Sequence, residues 1–212
     1  MAYDLEEQEQ IDALKAWWKE NGRLVLLALA AFVLSVAGVQ GWRYYQAQQT
    51  REAAGAYQAV ELALVPGDLT RALAEARSLR GSYPGSAYAP RAALAVARLA
   101  VDKKDLDAAR TELQWAVENA KEESLRDTAR LRLARVLLAQ KRSDEALATL
   151  SGPVTPAFEA LFADLRGDIL QAQGKTAEAR AAYQKALEQT AAENPFRALV
   201  ELKRDALPGA KP

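Results

Sequence analysis

Residues 167–186 read GDILQAQGKTAEARAAYQKA: an apolar helix-forming stretch stops at Gly174, and a second follows with alanine at 179 and tyrosine at 183. Three earlier windows share this layout: VELALVPGDLTRALAEARSL from Val60, ARLAVDKKDLDAARTELQWA from Ala97 and ARVLLAQKRSDEALATLSGP from Ala134. Their starts lie 37, 37 and 33 residues apart. Gly67, Lys104, Lys141 and Gly174 occupy the break, and Ala72, Ala109, Ala146 and Ala179 share one position beyond it. Four residues further come Ala76, Leu113, Leu150 and Tyr183. Apolar residues recur at helical spacing throughout, and no alternating β-branched run interrupts them.

The layout resembles the tetratricopeptide repeat, in which a small residue lets paired helices approach and a bulkier one a turn later fills the gap between them. The usual early tryptophan is missing from every window, and the fourth window matches best. Pro84 and Pro195 stand where a unit would stop, because proline cannot continue a helix interior. Pro153, after Ser151-Gly152 and before Pro156, breaks the third unit early. Stacked hairpins need covered ends. Phe196, Leu199, Val200, Leu202 and Leu207, on a segment opened by Pro195, predict a capping helix over residues 195–207.

Ahead of the repeats, Leu24 to Trp42 reads LVLLALAAFVLSVAGVQGW without a formal charge. A helix of that length spans roughly 28 Å, close to the hydrocarbon thickness of a bilayer. Arg23 and Arg43 bound it, and Trp17, Trp18, Trp42, Tyr44 and Tyr45 suit the headgroup level. A cleaved signal peptide would use Leu24–Leu34 as its apolar core and Ser35-Val36-Ala37 as its cleavage site. The long leader bearing Asp4, Glu6, Glu7, Glu9 and Asp12 argues instead for retention as an anchor. Lys15, Lys19 and Arg23 before the span bias the N-terminus toward the cytoplasm. Ala37 and Gly41, four apart, are small enough to let another helix pack closely.

The expected fold class is therefore all-α: a single N-terminal transmembrane helix, then a tetratricopeptide-like α-solenoid of about four helical hairpins plus a capping helix. The boundaries are a cytoplasmic tail at 1–23, the span at 24–42, a periplasmic repeat domain at 43–207 and a flexible C-terminus at 208–212. Residues 43–64 are expected to continue helically from the span, holding the solenoid close to the bilayer.

Composition narrows the function. The 212 residues contain no Cys and no His, and 28 Lys+Arg balance 28 Asp+Glu. A disulfide framework, thiol or imidazole catalysis and Cys- or His-ligated metals are thereby excluded. A neutral chain lacks the cation surplus that nucleic acid requires, so no nucleic-acid partner is expected. Asp105/Asp107 and Glu122/Glu123 fall in turns or at helix ends, where they read as parts of solvated faces. Gly81 and Gly85 flank Tyr83-Pro84 in a turn and not a phosphate loop. The chain reads as non-enzymatic, with no catalytic residue, cofactor or metal site.

Binding suits it better. Carrying over the tetratricopeptide register, the first helix of each pair lines a concave groove, here with Tyr57 and Glu61, with Arg91, Leu94 and Arg98, with Leu131, Arg132, Arg135 and Leu138, and with Leu161, Asp164 and Asp168. Aliphatic patches would take side chains of an extended polypeptide while charged residues orient its polar groups. The Lys/Asn pattern that clamps chaperone C-terminal carboxylates is absent.

The whole chain resembles the YfgM family, ancillary subunits of the bacterial SecYEG translocon. The N-terminal Tyr3, Glu6-Glu7-Gln8-Glu9-Gln10, Leu14-Lys15, Trp17-Trp18-Lys19 and Asn21-Gly22 carry that resemblance, together with Gly41-Trp42-Arg43-Tyr44-Tyr45-Gln46 and the terminal Leu202-Lys203-Arg204-Asp205-Ala206-Leu207. It implies a single-pass protein of the bacterial inner membrane with a cytoplasmic N-terminus and a periplasmic repeat domain. It also implies association with SecYEG and a PpiD-type membrane-anchored chaperone, and transfer of nascent secretory polypeptides to periplasmic chaperones. A cytoplasmic Rcs-type response regulator is a further implied partner. The alternative reading is a structural scaffold for envelope protein assembly without chaperone activity.

Overall fold

The computed structural model describes residues 2–209 and the side chains of residues 7–209. Met1, the side chains of Tyr3 and Glu6 in the N-terminal motif, and residues 210–212 of the expected C-terminal tail lie outside them. The chain divides into two compact units, Met1–Thr50 and Arg51–Pro212.

The described residues of the first unit lie within helix α1 (Ala2–Leu64). Two of its polar side chains bond to the helix's own backbone: the Ser35 hydroxyl donates to the Ala31 carbonyl at 2.8 Å, and the Asn21 amide donates to the Trp17 carbonyl at 3.1 Å. Its described apolar side chains are mostly exposed, with Leu27 67% and Leu34 72% exposed. The most apolar window has a mean hydropathy of 2.3 with none of it buried. Leaving that surface in water would cost about 25 cal/mol per Å², a penalty that vanishes in hydrocarbon. Among the described residues α1 is the one helix long and apolar enough to cross a membrane.

The second unit pairs the C-terminal part of α1 with α2 (Leu69–Ser82), α3 (Tyr88–Asp102) with α4 (Leu106–Asn119), α5 (Glu123–Ala139) with α6 (Ser143–Thr149), and α7 (Glu159–Ala172) with α8 (Thr176–Glu188). Helix α9 (Pro195–Asp205) follows, opened by Pro195 in the first turn and capped by the Asn194 side chain, which accepts from the Phe196 N–H at 3.0 Å. Four hairpins and a terminal helix are what the repeat spacing predicts, and no strand occurs among the described residues.

All four breaks share one conformation. Gly67, Lys104, Lys141 and Gly174 have φ of 70°, 65°, 61° and 75°. The following N–H groups, of Asp68, Asp105, Arg142 and Lys175, reach back to the carbonyls of Ala63, Ala100, Leu137 and Leu170 at 2.8–3.1 Å. The N–H groups of the left-handed residues themselves reach the carbonyls of Leu64, Val101, Leu138 and Gln171 at 2.9–3.0 Å, and the two backward bonds together make the Schellman termination, which satisfies carbonyls orphaned at a helix end. Asp68 and Asp105 then open the next helix, their side chains accepting from the N–H groups of Arg71 and Ala108. Asp105 is thus a cap, and Asp107 pairs with Arg110 at 3.3 Å in the first turn of α4.

Behind each break, Ala72, Ala109, Ala146 and Ala179 are fully buried, and Ala76, Leu113, Leu150 and Tyr183 are nearly so. In the first pair, Ala53, Val60 and Ala63 share a core with Ala72, Ala76 and Leu79, and with Ala89, Ala92 and Val96 of α3. In the last pair Tyr183 joins Ala179, Ala182 and Ala186, with Val200 of α9 closing the end. The third pair is short, as Pro153 predicts: α6 stops at Thr149. The loop beyond it is held by Arg130, whose guanidinium donates to the carbonyls of Thr149, Ser151 and Pro153 at 3.1, 2.5 and 2.7 Å. Arg130 also donates to Asp127 at 2.9 Å, and Asp127 accepts from the Thr155 N–H and hydroxyl at 2.9 and 3.0 Å.

Candidate functional site

Register puts the twelve expected groove residues on the first helices of the four pairs. Tyr57 and Glu61 lie on α1, Arg91, Leu94 and Arg98 on α3, Leu131, Arg132, Arg135 and Leu138 on α5, and Leu161, Asp164 and Asp168 on α7. Helix α3 packs against α5, and α5 against α7. The first helices therefore form a continuous layer, but their side chains have different fates.

Leu94 and Leu131 are closed into the core at 6% exposure each, packed with Ala97, Leu113 and Leu165. Leu138 and Leu161 are half-buried against the same core. Tyr57 is half-buried, its ring 5.5 Å from that of Tyr88. Burial raises its hydroxyl pKa; the nearby charge of Glu61 adds to this, and that of Arg91 opposes it. Arg91 donates to Glu122 at 3.0 Å and to the Ala87 carbonyl at 2.9 Å.

At the far end Asp164 and Asp168 are already engaged. Lys203 of α9 places its Nζ 2.8 and 2.9 Å from the two oxygens of Asp164 and 2.9 Å from Asp168 Oδ2. Burial pulls the Lys203 ammonium down, but the hydrogen bonds and charges of the two carboxylates together outweigh it and hold the pKa above the ordinary lysine value. Lys203 also lies 5.9 Å from the Tyr183 ring centroid, near the limit of a cation–π contact. These acids anchor the capping helix, a role invisible in a register that treats α7 alone.

The middle of the layer is open. Arg98, Arg132 and Arg135 line a cleft of about 300 Å³ whose apolar lining is Ala97, Val101, Leu106, Leu113, Val136 and Ala139. Arg132 makes a long contact to the Leu94 carbonyl at 3.4 Å, and among the described residues Arg98 and Arg135 form no hydrogen bond or close ion pair. Burial, then the charges of Arg98 and Arg135, lower the pKa of Arg132. Three like charges are held together on apolar ground. The apolar members were not among the expected groove residues, although Val101, Val136 and Ala139 lie three or four residues beyond the arginines and so share their helix faces.

Among the described residues no group of three or more His, Cys, Asp or Glu side chains is gathered to hold a metal ion. Glu122, one of the paired carboxylates noted in the sequence, bonds to Arg91 and to the Ser124 hydroxyl.

Known proteins match this sequence along nearly the whole chain. The family model described as a tetratricopeptide repeat-like domain matches residues 15–209. A protein of Neisseria gonorrhoeae named "Ancillary SecYEG translocon subunit" is 36% identical over 98% of this chain and 100% of its own length. Proteins of the same name from Haemophilus influenzae and Escherichia coli are 35% and 32% identical, covering 88% and 84% of this chain and 91% and 85% of their own. This protein belongs with them to the YfgM family, whose repeat domain is tetratricopeptide-like.

Proposed function

We propose that the protein is a membrane-anchored ancillary subunit of the SecYEG translocon, whose repeat domain binds partner proteins and helps pass secretory polypeptides to periplasmic chaperones. The observation that carries this reading is the full-length match to relatives bearing that name, anchor and repeats together. The uncovered apolar surface of α1 supports an inner-membrane anchor. On this reading the N-terminus is cytoplasmic and the repeat domain periplasmic. Nascent secretory chains and a PpiD-type chaperone are partners of the repeat domain, and a cytoplasmic Rcs-type response regulator is a partner of the tail. The role is non-enzymatic.

Photo-crosslinkers at Val101 and Ala139, both exposed beside the central cleft, test it in intact cells. Adducts with translocon subunits, a PpiD-type chaperone or secretory chains are expected, and their complete absence would overturn the proposal. Protease added to spheroplasts should digest the repeat domain and spare the tail. A repeat domain protected there would overturn the topology.

The scaffold reading draws on the closure of Leu94 and Leu131 into the core, which leaves little aliphatic surface for an unfolded chain. It requires that the protein not slow aggregation of an unfolded secretory substrate, whereas the leading reading requires that it does.

A further inference from the structure

Several charges on the layer of first helices have partners. Arg91 is paired with Glu122, and Asp164 and Asp168 are paired with Lys203. Among the described residues Arg98 of α3 and Arg135 of α5 have no ion pair or hydrogen bond, and with Arg132 of α5 they are gathered around an apolar cleft. Crowding three guanidiniums costs Coulomb energy, and among the described residues none of the three makes a close ion pair; Arg135 feels the charge of Asp164, but that carboxylate is already bonded to Lys203. Arg132 and Arg135 are three apart and share a helix face, while Arg98 faces the same cleft from the neighbouring helix. Planar donors spread over two helices suit several carboxylates better than one. The volume between them, at the small end of ligand sites, suits one or two apolar side chains.

We infer that this cleft binds acidic segments of polypeptide, Asp and Glu side chains engaging Arg98, Arg132 and Arg135 while an intervening aliphatic side chain rests on Val101, Leu106 and Ala139. The inference rests on the proposed function for its setting and names the kind of polypeptide the repeat domain takes. Charge complementarity supplies selection and rapid encounter, and the apolar lining supplies contact area. It also follows that binding weakens as salt screens the three charges.

The test uses the full chain in neutral-detergent micelles and fluorescent peptides with the core Glu-Asp-Leu-Asp-Glu or Gln-Asn-Leu-Asn-Gln in a Gly-Ser background. The acidic peptide should bind, with affinity falling about tenfold or more in Arg98→Gln/Arg135→Gln and on raising salt. Arg71→Gln, an exposed arginine of α2 outside the cleft lining, should leave binding unchanged, and circular dichroism checks that each variant is folded. Equal binding of the two peptides overturns the inference. So does acidic-peptide binding abolished by amidating the peptide C-terminus, or a preference for vesicles of anionic lipid that requires the same arginines. Crosslinking to the translocon in cells, run on the same Arg98→Gln/Arg135→Gln variant, separates the two levels. Peptide binding without any translocon adduct in the unsubstituted protein leaves the cleft assignment standing and removes the proposed function; the converse removes only the cleft assignment.

Discussion

Tyr183 lays its ring on the bare backbone of Gly167, so close that a Cβ built on the glycine would sit 2.5 Å from Tyr183 Cδ1. The tyrosine is fully buried, and its hydroxyl lies 2.8 Å from Asp168 Oδ1 and 2.9 Å from Gln171 Oε1. Glycine and aromatic ring together set the separation of α7 and α8.

Gly167→Ala should therefore destabilise the repeat domain by about 1–3 kcal/mol through overpacking. Tyr183→Phe, which keeps the ring and loses the hydroxyl, should cost about 1 kcal/mol. Urea unfolding followed by far-ultraviolet circular dichroism checks both, and a neutral Gly167→Ala would show that α8 yields readily.

At the two lysine breaks the opposite sign is expected. Lys104 and Lys141 hold positive φ where their counterparts are glycines. A side chain in that region costs about 1–2 kcal/mol, partly offset by the greater unfolded-state freedom of glycine. Lys104→Gly and Lys141→Gly should each raise stability by about 0.5–1 kcal/mol, read as a higher melting temperature. Gly174→Ala, at the matching position, should lower it by about 1 kcal/mol.

Arg130 and Asp127 are the tie that lets the third pair be short. Their side chains are 11% and 5% exposed and bond to the loop from Thr149 to Thr155 as well as to each other. Arg130→Ala strands a buried carboxylate and frees three carbonyls, a loss of about 3–5 kcal/mol. Hydrogen exchange should show the loop opening before the other hairpins; uniform protection would contradict this.

Glu112 links stability to pH. It is buried on α4, 3.1 Å from Arg80, whose guanidinium also lies over the Trp115 ring. Burial raises its pKa above 4.5, against the lowering influence of Arg80 and Arg77. The folded state therefore holds this proton more tightly than the unfolded state. Its contribution falls as pH rises from about 4.5 through the raised value, by at most about 1.4 kcal/mol per pH unit. Subtracting the Glu112→Gln stability curve from that of the unsubstituted protein should leave a negative slope in this window. A flat or positive difference would show that Arg80 outweighs burial.

The repeat breaks, the buried alanines beyond them, the short third unit, the apolar span and the capping helix were legible from residue spacing alone, because each follows from local periodicity and from glycine or proline chemistry. The usable surface was not. Leu94 and Leu131 share the helical register of Arg98 and Arg135 yet are closed into the core, since which face packs inward depends on how α3, α5 and α7 meet. Asp164 and Asp168 look free until Lys203, 39 and 35 residues downstream, folds back onto them. The convergence of Arg98 with Arg132 and Arg135 likewise joins residues more than thirty positions apart. Backbone hydrogen bonding and side-chain volume act over a few residues and can be read along the chain. Burial and charge pairing act through space, and the tertiary structure alone decides which groups they bring together.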